Sequence, residues 1–163
     1  MLVEAGSVTV AGSVAYKPAR QVLPGDPIEV TGDRPRYVSR GGLKLEAALE
    51  QFAIKVTGIR AIDAGSSTGG FTDALLQAGA SSVVAIDVGT HQLHERLRAD
   101  PRVELLEQTD IRAIMPERIG GKAAVVVADL SFISLRQVLE SLLGLVELGG
   151  DVIVLLKPQF EAG

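Results

Sequence analysis

From residue 59 onward the chain is written in blocks. Short runs of Val, Ile, Ala and Leu alternate with stretches whose apolar residues recur every three or four positions. Runs of that length bounded by turn residues predict strands, and the spaced stretches predict helices. The blocks predict strand 59–64, helix 70–78, strand 82–87, helix 91–98, strand 103–107, a short helix near 112–119, strand 123–129, helix 134–146 and strand 151–157. Ahead of them, "SRGGLKLEAALEQF" puts Leu43, Leu45, Ala47, Ala48, Leu49 and Phe52 largely on one helical face. Strands alternating with helices in this way predict an α/β fold, a doubly wound and mostly parallel sheet with right-handed crossovers.

The first residues follow another pattern. In "SVTVAGSVAYKPARQVLPGDPIEV" two short alternating runs flank Ala11-Gly12-Ser13, and a third, Pro27 to Val30, follows the turn residues Pro24-Gly25-Asp26. This is a small β unit, too short to bury a core of its own. It opens on "MLVEAGS", which reads as the end of a helix begun upstream, and the chain stops at "KPQFEAG", just past the fifth strand of the sheet. The expectation is a fragment at both ends.

Composition narrows the class. The chain has 163 residues, 47% hydrophobic and 22% charged, with 4% aromatics, so aliphatic side chains must fill the core. There is no cysteine, which excludes disulfides and thiolate metal sites and fits a reducing, cytoplasmic setting. No signal peptide and no run of about 20 apolar residues is present, so secretion and membrane insertion are not expected. The net charge is −4, yet residues 1–44 carry six Lys and Arg against four Asp and Glu. An excess of two charges lies within ordinary surface variation.

The stretch "AIDAGSSTGGFTDALL", residues 61–76, carries a candidate ligand site. Gly65, Gly69 and Gly70 allow close backbone approach at a strand-to-helix turn, and the N–H groups opening the next helix suit polar or anionic groups. The loop misses the dinucleotide fingerprint G-x-G-x-x-G, with Ser67 where the second glycine belongs, and lacks the lysine of a P-loop. Asp63 would repel a pyrophosphate and attract the amino and sulfonium groups of S-adenosylmethionine. Asp87, ending the second strand, is expected on the two ribose hydroxyls, and Asp110, after the third, near the adenine amino group. The competing reading is that such acids cap helices or sit in loops.

Reactive candidates follow from the same topology. Asp129 ends the fourth strand in "VVVADLSF" and Lys157 the fifth in "VIVLLKPQF", so both should flank the crevice at the carboxyl ends of the strands, while Lys44 lies on the first helix. A lysine and an acid there form an acid–base pair or an ordinary ion pair. His91 and His94 share a face of the expected helix beside Glu95, but no zinc motif is complete, and no metal is expected.

The motifs "SRGGLKL", "DAGSSTGGF", "DVG", "DLSFISL" and "KPQFE" occur in the order and spacing of the TlyA family, which the chain resembles over essentially its whole length. That family pairs an S-four-type RNA-binding domain with an FtsJ-like methyltransferase domain, and its members are often labelled haemolysins. The resemblance implies a partial RNA-binding domain at 1–31, a linker at 32–38 and a truncated methyltransferase domain of Rossmann-like class I type at 39–163. It implies 2′-O-methylation of cytidines in 16S or 23S ribosomal RNA, with S-adenosylmethionine as donor. Lys44, Asp129 and Lys157 then match three members of a Lys-Asp-Lys-Glu catalytic set. The fourth, a later Glu, is expected beyond Gly163, and Glu161 of "KPQFE" does not take its place.

On this reading Lys157 orients or deprotonates the ribose 2′-hydroxyl, Asp129 holds the lysine, and Lys44 steadies the developing oxyanion or a neighbouring phosphate. Asp63, Gly65, Ser66, Ser67, Gly69, Gly70 and Phe71 surround the methionine part of the donor. Lys17, Arg20, Arg34, Arg36 and Arg40 supply phosphate contacts, with solvated surface charge as the bland alternative for each. Other classes are a membrane-lytic protein, a non-catalytic RNA-binding scaffold and, more distantly, a nicotinamide-dependent reductase.

Overall fold

The computed structural model describes residues 2–4, 6–31 and 35–162. The chain divides into two compact units, Met1–Arg36 and Tyr37–Gly163. In the first, β1 (Val8–Val10), β2 (Ser13–Val14) and β3 (Ile28–Val30) form an antiparallel sheet in the order β2-β1-β3. Ala11 and Gly12 both have positive φ, 47° and 77°, as the two-residue hairpin turn joining β1 to β2 requires. Before β1, the Ser7 N–H bonds the Leu2 carbonyl and the Gly6 N–H bonds the Val3 carbonyl, with Gly6 at φ 70°. These two bonds have the 6→1 and 5→2 spacing of a Schellman turn.

The second unit is a five-stranded sheet in the order β6-β5-β4-β7-β8, parallel throughout. Its strands are β4 (Arg60–Ala64), β5 (Ser82–Ile86), β6 (Val103–Leu106), β7 (Ala123–Ala128) and β8 (Val146–Val154). Its helices are α1 (Gly41–Gln51), α2 (Gly70–Gln77), α3 (Glu95–Arg98), α4 (Leu139–Leu145) and α5 (Pro158–Glu161). Alternation along the strands builds two cores. Ala61, Val83, Val125 and Val127 pack with Leu45, Leu49, Leu75 and Leu97 on one face, and Ile62, Val84, Val126 and Ala128 pack with Val138, Leu142 and Leu145 on the other. Each fully buried aliphatic side chain contributes roughly 1.5–3 kcal/mol. Strand order reverses between β4 and β7, which opens a crevice at their carboxyl ends.

Several expected elements are shorter or broken. The helix expected at 91–98 survives only as α3, because His91 is left-handed at φ 55° and gives its N–H to Glu107, and His94 caps the turn. His91 and His94 therefore share no helical face. The element near 112–119 is two 3-10 turns, Ile111–Ala113 and Pro116–Ile119, the second restarted by proline. The 134–146 stretch is a 3-10 turn, Leu135–Gln137, followed by α4. β8 starts at Val146, carries a register irregularity opposite Ala123–Val125, and ends three residues before Lys157. On α1 the buried stripe is Gly42, Leu45 and Leu49, whereas Leu43 is exposed on the far side and Phe52 is exposed after the helix has ended.

Candidate functional site

Two adjoining cavities occupy the crevice, of about 540 and 430 Å³, and both are lined by Gly65, Ser67, Asp129 and Ser131. The first opens between α1 and the loop after β4 and reaches Arg40, Lys44, Ser66, Phe71 and Lys157. The second runs past Asp87, Gln92, Asp110 and Phe132. Among the described residues they form a trough along the strand ends.

At the rim of the first cavity the three reactive candidates converge. Asp129, one residue past β7, has Oδ1 2.6 Å from Lys157 Nζ and Oδ2 3.8 Å from Lys44 Nζ. Lys157 Nζ also donates to Ser131 Oγ at 2.7 Å. The lysines differ in access: the Lys157 side chain is 19% exposed and that of Lys44 53%. One nitrogen is thus pinned at the mouth of the cavity, and the other stands more exposed and farther from the carboxylate beside it.

The loop after β4 is shaped by packing. Gly65 and Gly69 have φ of 80° and 96°. A side chain at Gly65 would strike Leu130 and the Asp129 carbonyl, and one at Gly69 would strike Leu93 and Leu97. At Gly70 it would meet Ser39 and the backbone of Gly41 and Gly42, so this glycine lets the starts of α1 and α2 touch. The N–H groups of Gly65 and Ser66 both bond the Ile86 carbonyl. Ser66 is 5% exposed, and its Oγ has no hydrogen-bond partner although Ser66 lines the cavity.

Asp63 does not line either cavity. It is wholly buried beneath the loop, where Oδ2 accepts from Thr72 Oγ1 at 2.6 Å and Oδ1 has no partner. Burial pushes its carboxyl up to about 7 against the hydrogen bonds from Thr72, with Asp129 and Asp87 adding repulsion. Its place is therefore support of the loop from below, in contrast to the expected charge contact with a ligand.

Asp87 stands at the second cavity with Oδ2 accepting the Ser67 N–H at 2.8 Å and Oδ1 the Gly89 N–H at 2.7 Å. Each oxygen keeps a lone pair for a ligand hydroxyl. Asp110 caps the 3-10 turn through the Arg112 N–H and takes the Arg112 guanidinium on both oxygens, and these hydrogen bonds hold its carboxyl below the usual range. The capping alternative describes its contacts.

The basic candidates separate. Arg40 lines the first cavity. In the small unit Lys17 and Arg36 are exposed, while Arg20 donates to the carbonyls of Ser13, Val14 and Val10 and so closes the β1–β2 turn. Arg34 lies outside the described residues. Among the described residues no group of three or more His, Cys, Asp or Glu is placed to hold a metal ion.

Residues beyond the expected set complete the site. Ser131 binds Lys157, and Phe132, left-handed at φ 63° and 92% exposed, meets Phe160 in a tilted contact at 5.5 Å between centroids. Glu161 accepts the Leu135 N–H and the Ser134 hydroxyl, both at 2.7 Å, and these bonds hold its carboxyl below the usual range. On α2, buried Asp73 accepts from Val38 N–H, Gln77 and Arg96, which ties the segment entering α1 to α2 and α3. Ser131 and Phe132 belong to "DLSF" and Phe160 and Glu161 to "KPQFE"; adjacent strands bring Asp129 and Lys157 together, but nothing in the sequence pairs the residues that follow them.

Residues 37–163 match the model of the FtsJ-like methyltransferase family. The chain is 53% identical over 163 residues to the 16S/23S rRNA (cytidine-2'-O)-methyltransferase TlyA of Mycobacterium tuberculosis, covering 99% of this chain and 61% of that protein. It is 40% identical over 162 residues to Hemolysin A of Brachyspira hyodysenteriae, covering 99% and 67%. A solved chain from Streptococcus thermophilus, carrying a provisional hemolysin name, superposes with a TM-score of 0.82 at 46% identity over 99% of this chain and 60% of the other. The chain thus spans about three fifths of the length of the TlyA relative. Among the described residues no helix is long and apolar enough to cross a membrane.

Proposed function

Because the chain belongs to the FtsJ-like methyltransferase family, we propose that it serves the transfer of a methyl group from S-adenosylmethionine to the 2′-hydroxyl of cytidine ribose in 16S or 23S ribosomal RNA. The observation that carries this reading is the Lys44–Asp129–Lys157 cluster at one end of a trough wide enough for an amino acid joined to a nucleoside. The donor fits the residues present. Ser66 Oγ is a buried polar atom lacking a partner beside the cavity, and Asp87 offers acceptors for ribose hydroxyls along it.

The donor, when bound, supplies a methyl group on a sulfonium, which leaves as a neutral thioether. Gly65, Ser66, Ser67, Gly70 and Phe71 would hold its methionine part, and Asp87 its ribose, with Asp110 at the adenine end. Lys157, as the free amine, would accept the ribose 2′ proton as the new O–C bond forms. Asp129 and Ser131 fix that amine, so little reorganisation remains for the reaction. Lys44 would face the charge that gathers on the ribose oxygen or an adjacent phosphate.

Beside this centre Arg40 would take RNA phosphates, and Lys17 and Arg36 on the small unit would take phosphates of their own, contacts that position RNA without reading its sequence. Residues 1–31 serve as part of an S-four-type RNA-binding domain, 32–38 as a linker and 39–163 as the methyltransferase domain, in a cytoplasmic setting.

The test is titration of S-adenosylmethionine and, in parallel, NAD into the protein, with Asp87→Ala as control, followed by transfer of labelled methyl to ribosomal subunits. Binding of the methyl donor alone, weakened at least ~10-fold by the substitution, and labelling of ribose support the reading. RNA binding without transfer favours a scaffold, and NAD binding in place of the methyl donor overturns the assignment.

A further inference from the structure

The loop that carries Asp129 and the loop that carries Lys157 face each other over their whole lengths. Lys157 meets Asp129 and Ser131, Phe160 meets Phe132, and Glu161 meets Ser134 and Leu135. The last contact is built on both sides. Ser134 caps the 3-10 turn by accepting the Arg136 N–H, and the same hydroxyl donates to Glu161, whose other oxygen takes the Leu135 N–H in the first position of that turn. Glu161 is the last residue of α5, and Lys157 is the residue that caps it, with the Phe160 N–H bonded to the Lys157 carbonyl. A carboxylate at one end of a single helical turn thereby fixes the backbone of the lysine at the other end.

We propose that Glu161 is a positioning residue for Lys157, a latch that holds the amine against Asp129 and Ser131 without touching the reacting atoms. The role in catalysis rests on the methyl-transfer reading above; the mechanical role does not. β8 ends at Val154, so Lys157 stands outside the sheet ladder, and two charge-assisted hydrogen bonds replace the ladder as its anchor. The bonds suit a carboxylate or an amide at position 161. A glutamine would accept from the Leu135 N–H and donate to Ser134 Oγ, so Glu161→Gln keeps the latch, whereas Glu161→Ala removes it.

Competitive acylation of lysine amines read by mass spectrometry tests this directly, with Lys44 as internal reference. In Glu161→Ala, Lys157 should label at least ~5-fold faster with Lys44 unchanged, and kcat for methyl transfer should fall roughly 10- to 100-fold with donor affinity unchanged, the scale expected of a displacement near 1 Å. Glu161→Gln should restore both. If Glu161→Ala loses its cooperative melt, Ser134→Ala, which removes one of the two bonds, should give a smaller rise at Lys157 alone. Equal Lys157 labelling in wild type and the folded variants overturns the latch. Wild-type protein that shows the labelling pattern but transfers no methyl overturns the activity reading and leaves the latch standing.

Discussion

The support beneath the trough and its rim are built in opposite ways. Under the loop after β4, Asp63 and Thr72 are wholly buried, and the glycines are set by neighbouring protein atoms. At the rim, Lys44, Asp129 and Lys157 are all reached by solvent and held mainly by one another. The cradle is therefore part of the core, and substitutions there act first through folding. The rim is a set of side chains laid on a finished sheet, so substitutions there act first through chemistry.

The sharpest way to separate the two is Asp129→Asn, which removes the charge that both lysines face. Methyl transfer should fall about 10³-fold or more, equivalent to about 4 kcal/mol in the barrier, while donor affinity changes by less than ~3-fold. Single-turnover transfer and donor titration on the same sample check it. A parallel loss of donor binding would mean that rim and cradle are one unit.

Asp63→Asn should show the reverse, an effect on stability as a function of pH. The Asp63 carboxyl is raised from 3.8 to about 7 in the folded chain. Between those values the folded state binds a proton that the unfolded state has released, so stability falls as pH rises from about 4 to about 7 and is level above. The whole change amounts to a few kcal/mol at most. Urea midpoints at pH 5 and pH 8 should differ in the wild type and converge in Asp63→Asn. The carboxyls held low by hydrogen bonds, Asp100, Glu107, Asp110 and Glu161, lose their contribution only as pH drops through the acidic range, outside this window.

The smallest effect is expected at Ser67→Gly. Ser67 is left-handed at φ 46°, and glycine relieves that conformation while freeing the unfolded chain, so stability should change by no more than about 1 kcal/mol. Thermal melts and titration of S-adenosylmethionine and NAD are the checks, and NAD should still not bind. If NAD bound the variant, the missing glycine alone would have set the ligand choice.

That residue also shows where sequence reading stops. The mismatch at Ser67 is visible in the sequence, but the backbone there takes the conformation a glycine would take, because the Asp87 carboxylate catches its N–H. The sheet was legible because Val, Ile and Ala runs of strand length admit few alternatives, and the convergence of Asp129 and Lys157 followed from adjacent parallel strands. The helix expected at 91–98 was not, since its periodicity is real but His91 is drawn out of it by Glu107, a partner on another element. Asp63 was visible as an acid at a strand end; that Thr72 lies against it, and that water does not, depends on how α2 packs.

One consequence lies in the unequal lodging of the strands. β4 is the middle of the five strands, whereas β8, exposed along much of its length and interrupted opposite β7, is an edge of the sheet among the described residues. Lys157 comes three residues after β8, while Asp87 and the glycine loop hang from the interior strands. Displacing Lys157 would therefore leave the glycine loop and Asp87 where they are, so holding a ligand in the trough and holding the amine at its mouth are separable properties of the fold.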